Sequence, residues 1–290
     1  MSVRGVSDNR GPLISVVVPT WNSAAVLAQA LQSLAAQSFR GFEVILSDGA
    51  STDETLAIAQ RYASLLPTLS IDSRPDSGVY DAINRGVRLA RGAWFLVLGS
   101  DDCIHAPETF AAVAEQLQLE TCAHLVYGDV RMMAVNRYGV PVEGRYIGRL
   151  PMSRFLQTNI CQQAIFYRRE LFDTLGGFEG RYRLCADWAF NLRAEFLAPS
   201  RWVDIVVADY GAAGLSATGI DEAFGADLPE LLRAGLAGAA GRRDLWPMQR
   251  RLMREADRLR RRGDWRGFWR YAGTYLSLLI RRLPALFGRS

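Results

Sequence analysis

An α/β fold with a mostly parallel sheet flanked by helices, followed by a helical C-terminal extension, is what this chain predicts, and three observations carry it. Short apolar runs alternate with stretches of helical period from Leu13 to about Cys103. Each run ends in a cluster of polar residues, as expected where a parallel sheet offers the carboxyl ends of its strands to a ligand. The chain has 290 residues, long enough for one large domain or two small ones, and 49% of them are hydrophobic, which supports a well-buried core.

The elements follow in order. LISVVVP reads as a first strand that ends in Pro19, Thr20, Trp21 and Asn22. From Ala24 to Gln37, Val26, Leu27, Ala30, Leu31 and Leu34 keep helical spacing. FEVILSDG is a second strand delivering Ser47, Asp48 and Gly49, and Asp53 to Leu65 is a second helix. Asp53 reads as a helix cap, whereas Asp48 lies at the strand exit, where a ligand would be met. TLSIDSRP is a third strand leading through PDSGVYDAINRG into a helix from Val79 to Arg91. AWFLVL is a fourth, apolar throughout and therefore buried on both faces, and Gly99, Ser100, Asp101 and Asp102 follow it directly. Such an alternation builds a parallel sheet covered by helices on both sides.

Beyond Pro107 the pattern gives a helix to about Leu119, a strand HLVYGDV, and an irregular passage from Arg131 to Leu150. Ile165 and Phe166 suggest another strand, and Asp187, for which an N-cap is the lesser reading, opens a helix bearing Trp188, Phe190 and Leu192. Helical segments then run from Asp221 onward, broken by AGLAGAAG, Pro247 and Pro284. The expected organisation is a flexible arm over residues 1–11, one domain over 12–215 and a helical region over 216–290.

Composition excludes several classes. All 34 basic residues are arginine, and the net charge of +4 hides an asymmetry. Residues 242–290 hold 14 arginines against 4 acidic residues, which leaves the rest of the chain acidic overall. A nucleic-acid partner for the whole chain is therefore not expected. Cys103, Cys122, Cys161 and Cys185 lie far apart with no CxxC pair, so neither a disulfide framework nor a cysteine zinc site is indicated, and a reducing, cytoplasmic setting fits. The first eleven residues lack the apolar segment of a signal peptide. No apolar run reaches the roughly 18 residues of a spanning helix. RRGDWRGFWRYAGTYLSLLIRRLPALFGRS mixes arginine with Trp265, Phe268, Trp269, Tyr271, Tyr275 and Leu276. A helix of that kind can lie peripherally on the cytoplasmic face of a membrane, or its apolar face can pack on the main domain or on a second subunit.

Asp101 and Asp102 pose a chemical question, because adjacent carboxylates repel unless a cation or a set of donors lies between them. VVVPTWN, SDGASTDET, PDSGVYDAINRGVRLARG and LGSDD, in this order and at these spacings, resemble the family 2 glycosyltransferases. With QQAIFYRRELF and CADWAFNLR the likeness runs over roughly residues 12 to 195. It is strongest toward bacterial enzymes of the colanic acid type that assemble cell-surface polysaccharides.

The resemblance implies a GT-A, nucleotide-sugar-binding and Rossmann-like fold. It also implies a metal-dependent, inverting transfer from a nucleotide sugar, with a UDP-sugar the expected donor, to a hydroxyl of a glycan or lipid-linked acceptor. By the same resemblance Pro19, Thr20 and Asn22 line the nucleotide pocket, and Asp48 holds the base or ribose. Asp76, Tyr80, Asp81 and Asn84 make further nucleotide and sugar contacts, with Arg85 answering phosphate charge. Asp101 contacts ribose or sugar, Asp102 holds Mg²⁺ or Mn²⁺ on the pyrophosphate, and Asp187 is the general base. Two positions depart from the pattern: Gln162 stands where relatives often have histidine, and Gly99 where many have another acid or asparagine. The only histidines are His105 and His124.

Such chemistry needs such groups. A departing nucleoside diphosphate develops negative charge that a hard divalent ion with oxygen ligands can neutralise, and the acceptor hydroxyl must lose a proton as it attacks from the opposite side. A nucleotidyltransferase would carry a glycine-rich, basic phosphate loop after the first strand, which VVVPTWNSA lacks. A non-catalytic nucleotide- or sugar-binding subunit of a polysaccharide assembly is the remaining alternative, and the intact acids argue against it.

Overall fold

The computed structural model describes residues 11–135, 141–146, 148–151, 154, 158–211, 221–236 and 246–280. Residues 1–10 of the expected N-terminal arm, the boundary near Leu215 and Pro284 lie outside them. The first half alternates as the sequence predicts: β1 (Ile14–Thr20), α1 (Leu27–Ala35), β2 (Phe42–Asp48), α2 (Thr55–Arg61), β3 (Leu69–Ser73), α3 (Val79–Leu89) and β4 (Trp94–Val97). The second half comprises β5 (Cys103–Ile104), α4 (Thr109–Leu119), β6 (Leu125–Val135), β7 (Pro141–Tyr146), β8 (Ile165–Arg168), α5 (Arg169–Leu175), α6 (Ala186–Leu197) and β9 (Arg201–Gly211). Helices α7 (Glu222–Leu236), α8 (Trp246–Arg261) and α9 (Trp265–Ile280) complete the described chain.

Among the described residues the strands form one sheet in the order β3-β2-β1-β4-β8-β6-β9-β5, with β7 paired to β6. β1 is parallel to both β2 and β4, and β2 to β3. β8 enters antiparallel between β4 and β6, so β6 and its parallel partner β9 keep the direction of the first four strands. The chain moves outward from β1 to β3 and then returns to place β4 on the other side of β1. That reversal opens a crevice at the carboxyl ends of β1 and β4, where Pro19 and Gly99 lie.

Alternation along the strands divides the core. Val17, Ile45, Phe95, Val97, Tyr127 and Tyr167 point into one cluster with residues of α3, α6 and α7. Val16, Val18, Val44, Leu46 and Leu96 point into the other with α1, α2 and α4. α3 lies unusually close to the sheet because a Cβ on Gly86 would stand 2.4 Å from Val17 Cγ1.

Three sequence expectations are corrected. The passage from Arg131 to Leu150, expected to be irregular, holds the end of β6 and the whole of β7, paired from Val130↔Tyr146 to Val135↔Pro141. β9 was not foreseen, and it supplies a long parallel partner for β6. Pro247 does not break a helix; it lies in the first turn of α8, where its missing N–H would have had no helical acceptor.

The C-terminal helices share the main core. Phe224, Leu228 and Leu232 of α7 and Leu252 of α8 are buried in the cluster that also holds Tyr182 and Ala186. Among the described residues no helix is long and apolar enough to cross a membrane.

Candidate active site

The loops that leave β1 and β2 are knotted around Asp48. This residue is fully buried. Its carboxylate accepts hydrogen bonds from Thr20 Oγ1 (2.9 Å), Ser51 N (2.9 Å), Ser51 Oγ (2.5 Å) and Ser73 Oγ (2.7 Å). Burial by itself would raise the Asp48 pKa, but the hydroxyls of Ser51 and Ser73 and the Ser51 amide hold it below the usual carboxylate range. With both oxygens so engaged, direct contact with a nucleotide requires one of these bonds to open. Asn22, in the left-handed region at φ 47°, donates its N–H to Ser51 Oγ and accepts from Thr52 N through Oδ1. Asp53, expected as a cap, lies one residue before the N-cap Glu54 of α2; it accepts from Thr55 N, the first helical amide, and from Ala24 N in the loop after β1.

Asp76 and Arg85 brace the entry to α3. Asp76 Oδ1 accepts from Gly78 N (3.0 Å), and its other oxygen lies 3.6 Å from Arg85 Nη2. Arg85 is buried and turned toward the strand ends, where it donates to Arg74 O and Asp48 O (3.1 Å each) and lies 3.5 Å from Asp72. Asp81 accepts from Ser77 N and Ser77 Oγ. Asn84 is committed elsewhere: it donates to Phe178 O (2.7 Å) and accepts from Phe178 N (2.9 Å), fastening α3 to the segment before α6.

At the end of β4 both acids fold back over Gly99. A Cβ at Gly99 would lie 2.6 Å from Asp102 Oδ2 and 2.9 Å from Asp101 Oδ1, so the absent side chain leaves the room in which the two carboxylates meet. Asp102 is buried and accepts from Gln163 Nε2 (3.3 Å), whereas Asp101 is exposed. Among the described residues no group of three or more His, Cys, Asp or Glu side chains could hold a metal. The Asp101 and Asp102 oxygens suit a hard cation, and a diphosphate would have to complete its shell. Neighbouring thiols do not compete, because burial, with the charges of Asp102 and Asp187, pushes Cys161 up to about 12 and keeps it protonated. His105 pairs with Asp209 (Nδ1 to Oδ1, 2.7 Å).

Across the cavity Asp187 occupies the first turn of α6. Tyr80 OH donates to its Oδ1 (2.9 Å) and Asn159 Nδ2 to its Oδ2 (2.5 Å), while Asn191 Nδ2 donates in turn to Asn159 Oδ1 (3.0 Å). The residue keeps partial solvent access, but its carboxyl is crowded. Burial raises it to about 6 against the donors Tyr80, Trp188 N–H and Asn159, which favour the ionised form. Burial, with the Asp187 charge, also drives the Tyr80 phenol far above its ordinary value, so that it remains a donor.

Pro19, Tyr80, Gly99, Asp101, Asp102 and Asp187 line one cavity of about 490 Å³, a volume in the range of small-ligand sites. Thr20, Asn22 and Asp48 form the adjoining knot, and Asn84 and Arg85 serve the framework behind it. Sequence reasoning missed Asn159, Gln163, Tyr146, Arg183 and Tyr210, all of which reach the cavity wall or its acids. Gln163 lies within QQAIFYRRELF without having been singled out, and no quoted motif marks the other four, which arrive from separate stretches of the chain. Gln162, which stands in the expected histidine position, also lines the cavity, and its buried Nε2 has no partner among the described residues.

The strand order, the acids at the end of β4 and the carboxylate facing them define a GT-A glycosyltransferase domain. Solved structures share this fold. A crystal structure of Staphylococcus aureus TarS residues 1–349 in complex with UDP-GlcNAc superposes with a TM-score of 0.62 at 22% identity, over 94% of this chain and 83% of that one. Against another TarS chain the match covers 81% of this chain and 41% of that one, with a TM-score of 0.60. The mannosyltransferase PcManGT from Pyrobaculum calidifontis, in complex with GDP-Man and Mn²⁺, gives 0.56 at 18% identity, over 97% and 88% of the two chains.

Residues 15–176 match the family described as Glycosyl transferase family 2, and the chain belongs to that family. It is 46% identical over 232 residues to the PGL/p-HBAD biosynthesis glycosyltransferase of Mycobacterium bovis, covering 78% of this chain and 87% of the relative. It is 28% identical over 187 residues to an uncharacterised glycosyltransferase of Haemophilus influenzae, covering 62% and 61%.

Proposed function

We propose that this glycosyltransferase moves a sugar from a UDP-sugar to a hydroxyl of a glycan or lipid-linked acceptor in surface glycan biosynthesis, with inversion at the anomeric carbon. The observation that carries the proposal is the placement of a carboxyl with raised pKa, Asp187, and the paired acids Asp101 and Asp102 on walls of one cavity. The relative named for PGL/p-HBAD biosynthesis supports a biosynthetic acceptor. The TarS complex with UDP-GlcNAc supports a uridine donor. The four free cysteines agree with a cytoplasmic setting.

In this reading the crevice from Pro19 to Gly99 receives the nucleoside diphosphate. Thr20 and Asn22 border the base and ribose, and Asp48 shapes that pocket through the Thr20 and Ser51 contacts it fixes. Asp76 and Arg85 set the charge beneath the β2 and β3 ends, with Asn84 holding α3 in place. Asp101 meets ribose or sugar, and Asp102 is the metal ligand. A bound Mg²⁺ or Mn²⁺ supplies Lewis-acid neutralisation of the leaving diphosphate. Asp187, held in place by Tyr80, Asn159 and the Trp188 amide, takes the acceptor proton.

A panel of UDP-, GDP- and dTDP-sugars, with and without Mn²⁺, tests the proposal. Transfer or donor hydrolysis is expected with a UDP-sugar, rising with the metal and lost in Asp187→Asn. Nucleotide binding without any turnover across the panel would instead favour a non-catalytic binding subunit.

A further inference from the structure

α9 is partly packed and partly exposed. Ala272 and Thr274 are buried, Thr274 Oγ1 donates to Pro229 O (3.3 Å) and Tyr271 OH donates to Gly225 O (3.2 Å), so this side is fastened to α7. Along the margin of that packed side, next to Ala272 and away from Thr274, Trp265 is 56% exposed, Trp269 65% and Leu276 50%. At 3.6 residues per turn these three positions fall within about 40° of arc, a single stripe along the helix. Arg266 and Arg270 border the stripe and Arg262 precedes it, all exposed. Arg258, Arg260 and Arg261 on α8 are held by Glu255 and Asp257. Among the described residues, neither Arg262 nor Arg266 has an ion-pair partner. The nearby acid, Asp264, accepts from Gly267 N at the start of α9.

We propose that this stripe is a docking surface for an anionic lipid bilayer, with Trp265, Trp269 and Leu276 entering the headgroup region and Arg262, Arg266 and Arg270 meeting lipid phosphates. Geometry favours lipid over a second copy of the chain. Two half-exposed indoles and a leucine offer on the order of 400 Å², about half of the roughly 800 Å² per partner that a stable protein interface needs. An interfacial helix needs only a narrow apolar stripe bordered by cations. The side chains suit the same occupant: indole pairs an apolar body with a polar N–H, as the headgroup boundary requires, and guanidinium bonds phosphate oxygens in pairs.

The position of the stripe gives docking a use. α7 beneath α9 carries Phe224, whose ring lies 5.0 Å from that of Trp188 in the cavity wall. Docking through α9 therefore holds the Asp187 side of the cavity one helix layer from the lipid, where a lipid-linked hydroxyl would arrive. This use rests on the proposed function; the lipid contact itself does not, and it is measured without donor or acceptor.

Co-sedimentation of the full chain with phosphatidylcholine vesicles, with and without phosphatidylglycerol, tests the contact. Preference for the anionic vesicles is expected, at about fivefold per arginine engaged, and it should fall as salt rises. Trp265→Ser with Trp269→Ser should lower partition at least tenfold. Arg262→Gln, Arg266→Gln and Arg270→Gln together should remove the preference for anionic lipid. Far-ultraviolet circular dichroism should be unchanged, since all five side chains face solvent. A second reading needs no variant: brominated phosphatidylglycerol should quench part of the wild-type indole emission. Equal partition on the two kinds of vesicle, or wild-type emission unaffected by the brominated lipid, overturns the proposal. So does a concentration-dependent dimer in light scattering that the tryptophan variants dissolve while vesicle binding is absent, which assigns the stripe to a second copy.

Discussion

The carboxyl of Asp187, raised by burial to about 6, is mostly ionised at neutral pH yet remains more basic than an ordinary aspartate, as a proton acceptor should be. The same shift has a stability sign. Because the folded pKa lies above the ordinary value of 3.8, the folded state favours the protonated group. Stability is lost as pH rises from about 4 through 6, by about 3 kcal/mol once ionisation is complete. Asp187→Asn should remove that cost. Its amide can donate to the Tyr80 oxygen, whose own proton has Leu184 O as an alternative acceptor at 3.0 Å, while the amide oxygen keeps the Asn159 donor. The variant is therefore expected to unfold at a higher temperature than wild type at pH 7 to 8 and at a similar one near pH 4, while transfer falls about 10²- to 10⁴-fold. Asn159→Leu tests the partner: losing a donor to the ionised form should move the acid limb of the kcat/KM profile to higher pH, a displacement that a general loosening of the fold would not produce. Asp187 was singled out in the sequence only through the resemblance carried by CADWAFNLR. Asn159 was not, because its meaning lies in a bond to a residue 28 positions away.

Elements were legible where local pattern and burial agree. β1, β2 and β4 are buried along both faces, so short runs dominated by β-branched and apolar residues announce them. β7 was hidden because GVPVEGRY carries glycine, proline and charge, and its pairing is supplied by β6 rather than by its own composition. β9 was hidden for a similar reason, since its ladder runs to a strand some 75 residues earlier. One element junction bears directly on stability. Glu43 of β2 is buried and accepts from Ser15 Oγ (2.7 Å), Arg91 N (2.7 Å) and Arg91 Nε (2.9 Å), tying the end of α3 to the first two strands. Burial alone would raise its pKa, but Ser15 and the Arg91 amide and guanidinium bring it below the ordinary 4.5. Its contribution is thus present above pH 4.5 and lost as pH falls through the lower folded value. Arg91 is largely exposed and its charge is screened, so Glu43→Gln should cost about 1–3 kcal/mol, chiefly from acceptors lost inside the fold. Urea unfolding at pH 7 and pH 3 checks this, with the difference between variant and wild type shrinking at the lower pH.

At the scale of the whole molecule, the candidate site depends on a convergence that no window of sequence contains. Asp102 and Asp187 come from different elements, yet the antiparallel insertion of β8 beside β4 and the return of α6 put them on one cavity. The family resemblance implied that both belong to a site, whereas the bracing of Asp102 by Gln163 and of Asp187 by Tyr80 and Asn159 emerged only from the fold. Because the crevice joins β1, β2, β4 and α6, a ligand seated there stabilises all of them together, and the effect is measurable without an acceptor. UDP at 100 times its dissociation constant should stabilise the folded chain by about 2.7 kcal/mol, a rise of roughly 5 °C in Tm. With only the paired acids converging on the candidate metal position and no group of three protein ligands among the described residues, Mn²⁺ alone should raise Tm little, whereas Mn²⁺ with UDP should raise it more than the two separate shifts combined. Asp102→Asn should keep the shift from UDP alone and lose the excess given by the metal. If Mn²⁺ and UDP act additively in the wild-type chain, the assignment of Asp102 as a metal ligand fails, whereas the base assignment of Asp187 stands or falls on its own pH profile.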